Sequence, residues 1–453
     1  MPQTLAKPKT NSVIDSLKTR LKKEKVRFIR LQFIDIMGSN KNVEIPDSQF
    51  EKALQGKILF DGSSIEGFVR IEESDMRLRP DPSTFRVLPW EERGGQGKVA
   101  RLICDITHPD GTPFEGCCRT ILKNQVMEAK KLGYELMVGP EAEFFLFQRA
   151  PDNGPTTVTH DRGGYFDLTP IDLGEVARRE MVNTLEQMGF EIETSHHEVA
   201  PGQHEIDFKY ENAVKAADNI STFRWVVRKV ALDYNLHATF MPKPVFGING
   251  SGMHCHLSLF KNGKNAFDQP KGERGLSTTA YRFLAGVLHR AGAITALANP
   301  LVNSYKRLVP GYEAPTHIAW SEKNRSPLCR IPASRGRGSR FEMRSPDPSC
   351  NPYLAIAAIL AAGLDGIRHE MIPPPPVNEN IYRMDEEERR EKGIGSLPGN
   401  LSEALQALTQ DALICDVLGE HCLTHFLHAK REEWQRYIAY VSQWELDQYL
   451  AAY

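Results

Sequence analysis

The chain reads GPEAEFFLF at 139–147 and MHCHLSLF at 253–260. In both segments ionisable or polar side chains take alternate positions of an otherwise apolar run: Glu141 and Glu143 in the first, His254, His256 and Ser258 in the second. A strand sends successive side chains to opposite faces, so alternation places these groups on one face above an apolar back. The pattern recurs at Glu205 and Asp207, which alternate with Ile206 and Phe208, and at Arg340, Glu342 and Arg344, which alternate with Phe341 and Met343. One such segment alone is most simply the wet side of an antiparallel sheet. Four together, carrying carboxylate and imidazole without Lys, hold the inventory that binds hard or borderline divalent cations. They predict a sheet or partial barrel whose concave face holds two or more Mg²⁺ or Mn²⁺ ions. Zinc alone fits less well, because the donors are mostly oxygens and no thiolate cluster accompanies them.

Carboxylate-held Mg²⁺ points to a phosphate-bearing substrate, and the arginines agree. Arg307, Arg325, Arg330, Arg335, Arg337, Arg340 and Arg344 crowd 301–345 against only Glu313, Glu322 and Glu342. A solvated basic surface has the same composition, but Arg340 and Arg344 share a predicted strand face with Glu342. Phosphoryl transfer asks for charge neutralisation at fixed positions rather than covalent chemistry. The glycines of GINGSG (247–252) let backbone approach a ligand, or serve a hairpin turn. Neither a Walker-type loop nor a dinucleotide fingerprint occurs.

At 453 residues the chain exceeds what one core usually serves, and two domains are expected. Lys and Arg total 56 against 58 Asp and Glu, a balance that offers nucleic acid or anionic membrane no basic footprint. No signal segment opens the chain and no apolar run nears the length of a spanning helix, so a cytoplasmic protein is expected. Eight scattered cysteines without a C-x-x-C pair read as free thiols. The pattern predicts a small α+β unit to about residue 115, with a helix at 13–23 and strands around Phe28–Phe33 and Val99–Thr107. A larger α+β unit follows from 116 to 453. Its predicted elements include helices at 119–132, 175–188 and 211–234, a buried helix at 353–364 capped by Asn351-Pro352, and a solvated helical charge run at 386–392.

FDGSSIEGF from Phe60, HHEVAPGQHEIDF from His196, KPVFGINGSGMHCHLSLF from Lys243, NPLVNSYKRLVPGYEAP from Asn299, NRSPLCRIPASRG from Asn324 and FEMRSPDPSCNPYLA from Phe341 join the first quoted segment in one comparison. Across nearly its whole length the chain resembles the type I glutamine synthetases. That resemblance implies an N-terminal β-grasp domain (1–115), a catalytic α/β domain (116–453) with a curved antiparallel sheet, and a dodecamer of two hexameric rings. It implies ligation of ammonia to the γ-carboxylate of glutamate with ATP, through γ-glutamyl phosphate.

Carried over by position, one metal site is Glu143, Glu198 and Glu205 and the other Glu141, His254 and Glu342. Asn249, Gly250, Arg307, Glu313, Arg325 and Arg344 would hold glutamate. Glu193, His256, Ser258, Arg325, Arg330 and Arg340 would hold the nucleotide. Asp61, Glu313 and Arg325 would act in catalysis, and Asp61, Ser64 and Tyr165 would form an ammonium pocket that the neighbouring subunit completes. Arg70 would be the switch for feedback inhibition by glutamine. Two departures stand out. Ala142 takes the place of the Pro usual between the two glutamates, which predicts a looser strand, and the short link from Phe147 to Tyr165 argues against control by adenylylation of Tyr382. Two other readings use the same residues: a γ-glutamyl ligase for an amine or polyamine, and a catalytically silent relative of the same fold. The DGSS segment and the Glu313 loop favour ammonia.

Overall fold

The computed structural model describes residues 10–65, 67, 75–90, 97–324 and 326–453. Arg70 and Arg325 therefore lie outside the described residues. The described residues begin with helix α1 (Thr10–Lys23), followed by β1 (Val26–Ile34), β2 (Asn40–Pro46), β3 (Ile58–Asp61), β4 (Asp75–Pro80) and β5 (Lys98–Thr107). They form a small sheet in the order β2-β1-β5-β4-β3, with the two-residue strand Arg86–Val87 paired to β5. β1 and β5 run parallel and the other pairs antiparallel. Alternation decides the faces of β5. Ala100, Leu102, Cys104 and Ile106 enter the small core with Ile29 and Leu31, while Val99 joins the large core on the other face.

Beyond a turn, α2 (Cys118–Lys131) leads into β6 (Glu135–Arg149), the spine of a twelve-stranded sheet. After it come α3 (Glu175–Gln187), β7 (Ile192–His197), β8 (Gln203–Phe208), α4 (Ala213–Asp233) and β9 (Met253–Lys261). Helix α5 (Thr278–His289), β10 (His317–Ser321), β11 (Pro327–Arg330), β12 (Phe341–Met343), α6 (Pro352–Arg368) and α7 (Ala412–Ile438) complete the parts used below. The main path runs β10-β11-β12-β9-β6-β8-β7, with β10 and β11 parallel and the remaining pairs of this path antiparallel. The apolar back of this sheet packs on α2, α4, α5 and α6, and the polar front faces outward. Helix α6 is buried almost throughout; Asn351 caps it by accepting from the Tyr353 and Leu354 N–H groups, with Pro352 in the first turn.

Three expectations change in detail. The helix predicted from 211 starts at Ala213, because Glu211 and Asn212 first pair with Val138 and Met137, and the Asn212 side chain then caps the helix at Lys215. Only Phe341–Met343 is strand, the three residues that pair with Cys255–Leu257 of β9; Arg340 and Arg344 flank it. Ala142 does not loosen β6. It is buried and pairs with Met253 as the last rung of a β6–β9 ladder that carries no register shift.

The two sheets are joined by ionic and backbone contacts. Arg119, on α2 and buried, donates to both oxygens of Asp218 on α4, to Asp105 on β5 and to Asp81 after β4. Asn351 donates to the Asp35 and Ile36 carbonyls, and Gly38 packs so closely on Asn351 that a Cβ there would meet its Cα at 3.1 Å. No helix among the described residues is long and apolar enough to cross a membrane.

Candidate active site

The front of the large sheet opens into a pocket of about 660 Å³. Its floor is made by the alternating positions. The β6–β9 register sets Glu141 opposite His254, and the β6–β8 register sets Glu143 opposite Glu205. Glu198, just past β7, completes a triad with Glu143 and Glu205 whose ligating atoms lie within 4.8 Å of one another. Burial and the Glu198 charge push the Glu143 carboxyl up to about 8, although Gly252 donates to it from the backbone at 2.8 Å and Gln203 at 2.9 Å. Burial, then Asp207 and Glu143, push Glu205 well above the carboxylate range, and burial lifts Asp207 to about 6. Acids held this close favour a bound cation or retained protons.

The second cluster lies beside it. Burial raises the Glu141 carboxyl, but hydrogen bonds from His254 and His256 outweigh it and hold Glu141 far below its ordinary value. Burial likewise opposes ionisation of Glu342, while the His254 imidazole, the Arg344 guanidinium and the other groups around it hold its carboxyl below the ordinary value. Arg330 and Arg344 both donate to Glu342. The two imidazoles differ. Arg340 donates to His256 Nδ1 at 3.0 Å, which leaves the proton on Nε2, where it goes to Glu141. His254 Nδ1 stands 3.5 Å from Glu141 and 3.6 Å from Glu342, so it is the imidazole nitrogen that faces the space between the two acids. Burial, then Arg344, keep His254 below its ordinary pKa and so neutral.

The glycines have a steric role. A Cβ on Gly252 would lie 2.4 Å from Arg307 Nη2 and 3.0 Å from His254 Nε2, so only Gly fits. Arg307 is held by the Ser345 and Arg344 carbonyls. Over the pocket, Asn249 donates to Glu313 at 3.3 Å, and Glu313 itself adopts φ +58°, the left-handed region. The Lys243 ammonium sits 3.7 Å above the Tyr312 ring and donates to the Ile248 carbonyl, tying that loop to the glycine turn.

Of the residues singled out in the sequence, Glu141, Glu143, Tyr165, Glu198, Glu205, Asn249, Gly250, His254, Arg307, Glu313, Arg330, Glu342 and Arg344 line this one pocket. His256 and Arg340 sit behind Glu141. Glu193 and Ser258 do not enter the lining, and neither do Asp61 and Ser64, which belong to the end of β3 and its turn. Gln203 and His196 are among the lining residues that escaped the sequence reading. Gln203 alternates with Glu205 and Asp207 on β8, so the same period would have found it. His196, which hydrogen-bonds Glu198 at 2.9 Å, stands two places before that acid.

Residues 25–109 match the family described as glutamine synthetase, beta-Grasp domain, and residues 115–449 match glutamine synthetase, catalytic domain. The chain is 63% identical to a glutamine synthetase of Thermus thermophilus, over 96% of this chain and 98% of that one. It is 58% identical to glutamine synthetase of Staphylococcus aureus, over 98% of this chain and all of the other. Among solved structures, the GmaS/ADP complex superposes with TM-score 0.87 at 32% identity, covering 96% of this chain and 99% of that one. The cryo-EM glutamine synthetase of Plasmodium falciparum gives 0.86 at 26% identity, covering 99% of this chain and 100% of that one. With a β-grasp unit, a catalytic unit and a front face carrying paired acid clusters under arginines, this chain belongs to the glutamine synthetase family.

Proposed function

We propose that this pocket joins ammonia to the γ-carboxylate of glutamate with cleavage of ATP to ADP and phosphate. The observation that carries the reading is the meeting of two acid clusters with Arg330, Arg344 and Arg307 in one cleft. Residues 1–115 and 116–453 act as the β-grasp and catalytic domains. The oxygen-rich triad Glu143, Glu198 and Glu205, buried and crowded enough to raise the Glu143 and Glu205 carboxyls, fits a hard divalent ion, and Glu141, His254 and Glu342 fit a second. Bound there, Mg²⁺ or Mn²⁺ supplies charge neutralisation of phosphate oxygens.

The chain's own groups do the rest. Asn249, Gly250, Arg307 and Arg344 orient glutamate, and Glu193, His256, Ser258, Arg325, Arg330 and Arg340 hold the nucleotide. A γ-carboxylate oxygen attacks the terminal phosphorus of ATP, the bond to the bridging oxygen breaks, and ADP leaves γ-glutamyl phosphate behind. The guanidinium groups offset the charge on the transferring oxygens. Ammonium enters a negative pocket of Asp61, Ser64, Tyr165 and Glu313, and a carboxylate there takes its proton. Ammonia attacks the acyl carbon and phosphate departs. The Glu313 loop excludes water, which would hydrolyse the acyl phosphate. Asp61 is exposed and outside its own chain's pocket, which supports completion of the site by a neighbouring copy in a homo-oligomer; the family resemblance implies that this is a dodecamer of two hexameric rings working in the cytosol.

Phosphate release that requires glutamate, ATP, Mg²⁺ and ammonium together is the deciding assay. Comparable turnover with methylamine or putrescine in place of ammonium would favour the amine-ligase reading instead. Metal linkage gives a second expectation. Raised carboxyls keep protons that the unfolded chain has lost, so metal-free stability falls as pH rises from the ordinary carboxylate range toward about 8 for Glu143. A bound cation removes that penalty. Differential scanning fluorimetry is expected to show the gap between Mn²⁺-bound and metal-free melting temperatures widening from pH 5.5 to pH 8; a constant gap contradicts the assignment. Finally, Arg70→Ala is expected to abolish inhibition by glutamine while sparing turnover, read from initial rates with added product.

A further inference from the structure

Beside the Arg119 hub lies a second cleft of about 500 Å³, walled by the small sheet on one side and by α2 and the start of α4 on the other. It shares no described residue with the catalytic pocket. Arg101, in the middle of β5, projects into it, because its neighbours Ala100 and Leu102 take the opposite face into the small core. Arg101 is only 4% exposed, yet its Nε and Nη1 have no hydrogen-bond partner. Buried polar groups are nearly always paired, and a buried charge without a partner is costlier still.

Nearby acids are already engaged. Asp218 gives both oxygens to Arg119 and accepts from the Tyr353 hydroxyl; Asp105 serves Arg119 and Lys123; Asp81 serves Arg119 and Ser83. Glu135, on the same wall, is exposed. The adjoining Arg86 spends its guanidinium on the Met188 and Phe85 carbonyls without losing its charge. Burial brings Arg101 down to about 10, so it remains cationic at neutral pH. Water filling the cleft would meet its hydrogen bonds, and the nearby Asp218 carboxylate, already bonded through both oxygens to Arg119, offsets its charge only in part.

We infer that this cleft binds a phosphate group, free or carried by a small metabolite, with the Arg101 guanidinium as its principal contact and Arg86, Lys123 and Lys130 adding positive potential around it. More than one cation faces the space, which favours a dianion over a simple carboxylate. Since its walls come from the small sheet and from the helices of the large unit, an occupant braces the small sheet against α2 and α4.

A crystal of the full chain soaked in sodium selenate, a phosphate-shaped anion with an anomalous signal, is expected to show a peak within hydrogen-bond distance of Arg101. Only ordered water at that position overturns the inference. In solution, with the catalytic pocket saturated by a non-hydrolysable ATP analogue and Mg²⁺, inorganic phosphate is expected to raise the melting temperature saturably. Arg101→Met should weaken that response by at least about tenfold while leaving turnover unchanged. An equal response in Arg101→Met, or an equal response of wild type to acetate, overturns it. A stronger response to glycerol phosphate than to phosphate identifies a phosphorylated metabolite as the occupant, and the reverse identifies free phosphate. Should Arg101→Met fail to fold, the soaked wild-type crystal decides alone.

Discussion

Glu205→Gln is expected to lower kcat/KM by about 10²–10³-fold while raising the melting temperature of the metal-free protein. The two effects have one cause. Glu205 lies 7% exposed between Glu143 and Asp207, and burial together with those acids disfavours its charge. A divalent ion reverses that balance, and the oxygen lost on substitution supplies several kcal/mol to charge neutralisation in phosphoryl transfer, which is two to three decades in rate. Without metal, Gln relieves the repulsion and keeps the shape, so stability rises by about 1 kcal/mol or more. Steady-state phosphate release across a Mn²⁺ titration and metal-free thermal unfolding are the two measurements. A Glu205→Gln protein that loses both activity and metal-free stability would mean the acid is part of the scaffold instead.

Arg119→Leu is expected to destabilise the fold by about 3–5 kcal/mol, because it strands the carboxylates that one guanidinium now satisfies. Arg119 reaches Asp218 at 2.9 Å through two nitrogens, Asp105 at 3.0 Å and Asp81 at 2.7 Å, so α2, α4 and the small sheet lose their common tie. Lys cannot reproduce the fork, and Arg119→Lys should recover less than half of the loss. The pH dependence has a definite sign. Burial raises Asp81, but the Arg119 and Ser83 hydrogen bonds hold it below its ordinary value. That stabilisation is present above the unfolded pKa and disappears as pH falls through the folded one, so the wild-type advantage shrinks toward acid. Urea unfolding of wild type and both variants at pH 7 and pH 4 measures each term; an unchanged midpoint in Arg119→Leu would show the hub to be stability-neutral.

The acids and imidazoles of the pocket floor were legible because strand alternation is a local property. Glu141, Glu143, Glu205, His254, His256 and Glu342 each stand at a period of two within their own segment, whatever lies across from them. The buried helix α6 was legible for the same kind of reason, since Asn351 and Pro352 announce its start beside an unbroken apolar run.

What the sequence determined by itself, then, is which residues share a face and which segments must be buried, together with a family resemblance carried by long matching motifs. Only the tertiary structure decided which faces meet. Nothing local says that His254 will pair across from Glu141, 113 positions earlier in the chain, or that Arg340 will set the tautomer of His256 and leave His254 to serve the acids. Nor does any periodicity bring Arg119 to Asp218 across 99 positions or leave two buried nitrogens of Arg101 beside them without a hydrogen-bond partner. Register and hydrogen-bond partnership depend on how distant segments cross, and burial then converts those crossings into shifted pKa values and electrostatic demand that the isolated segments do not carry.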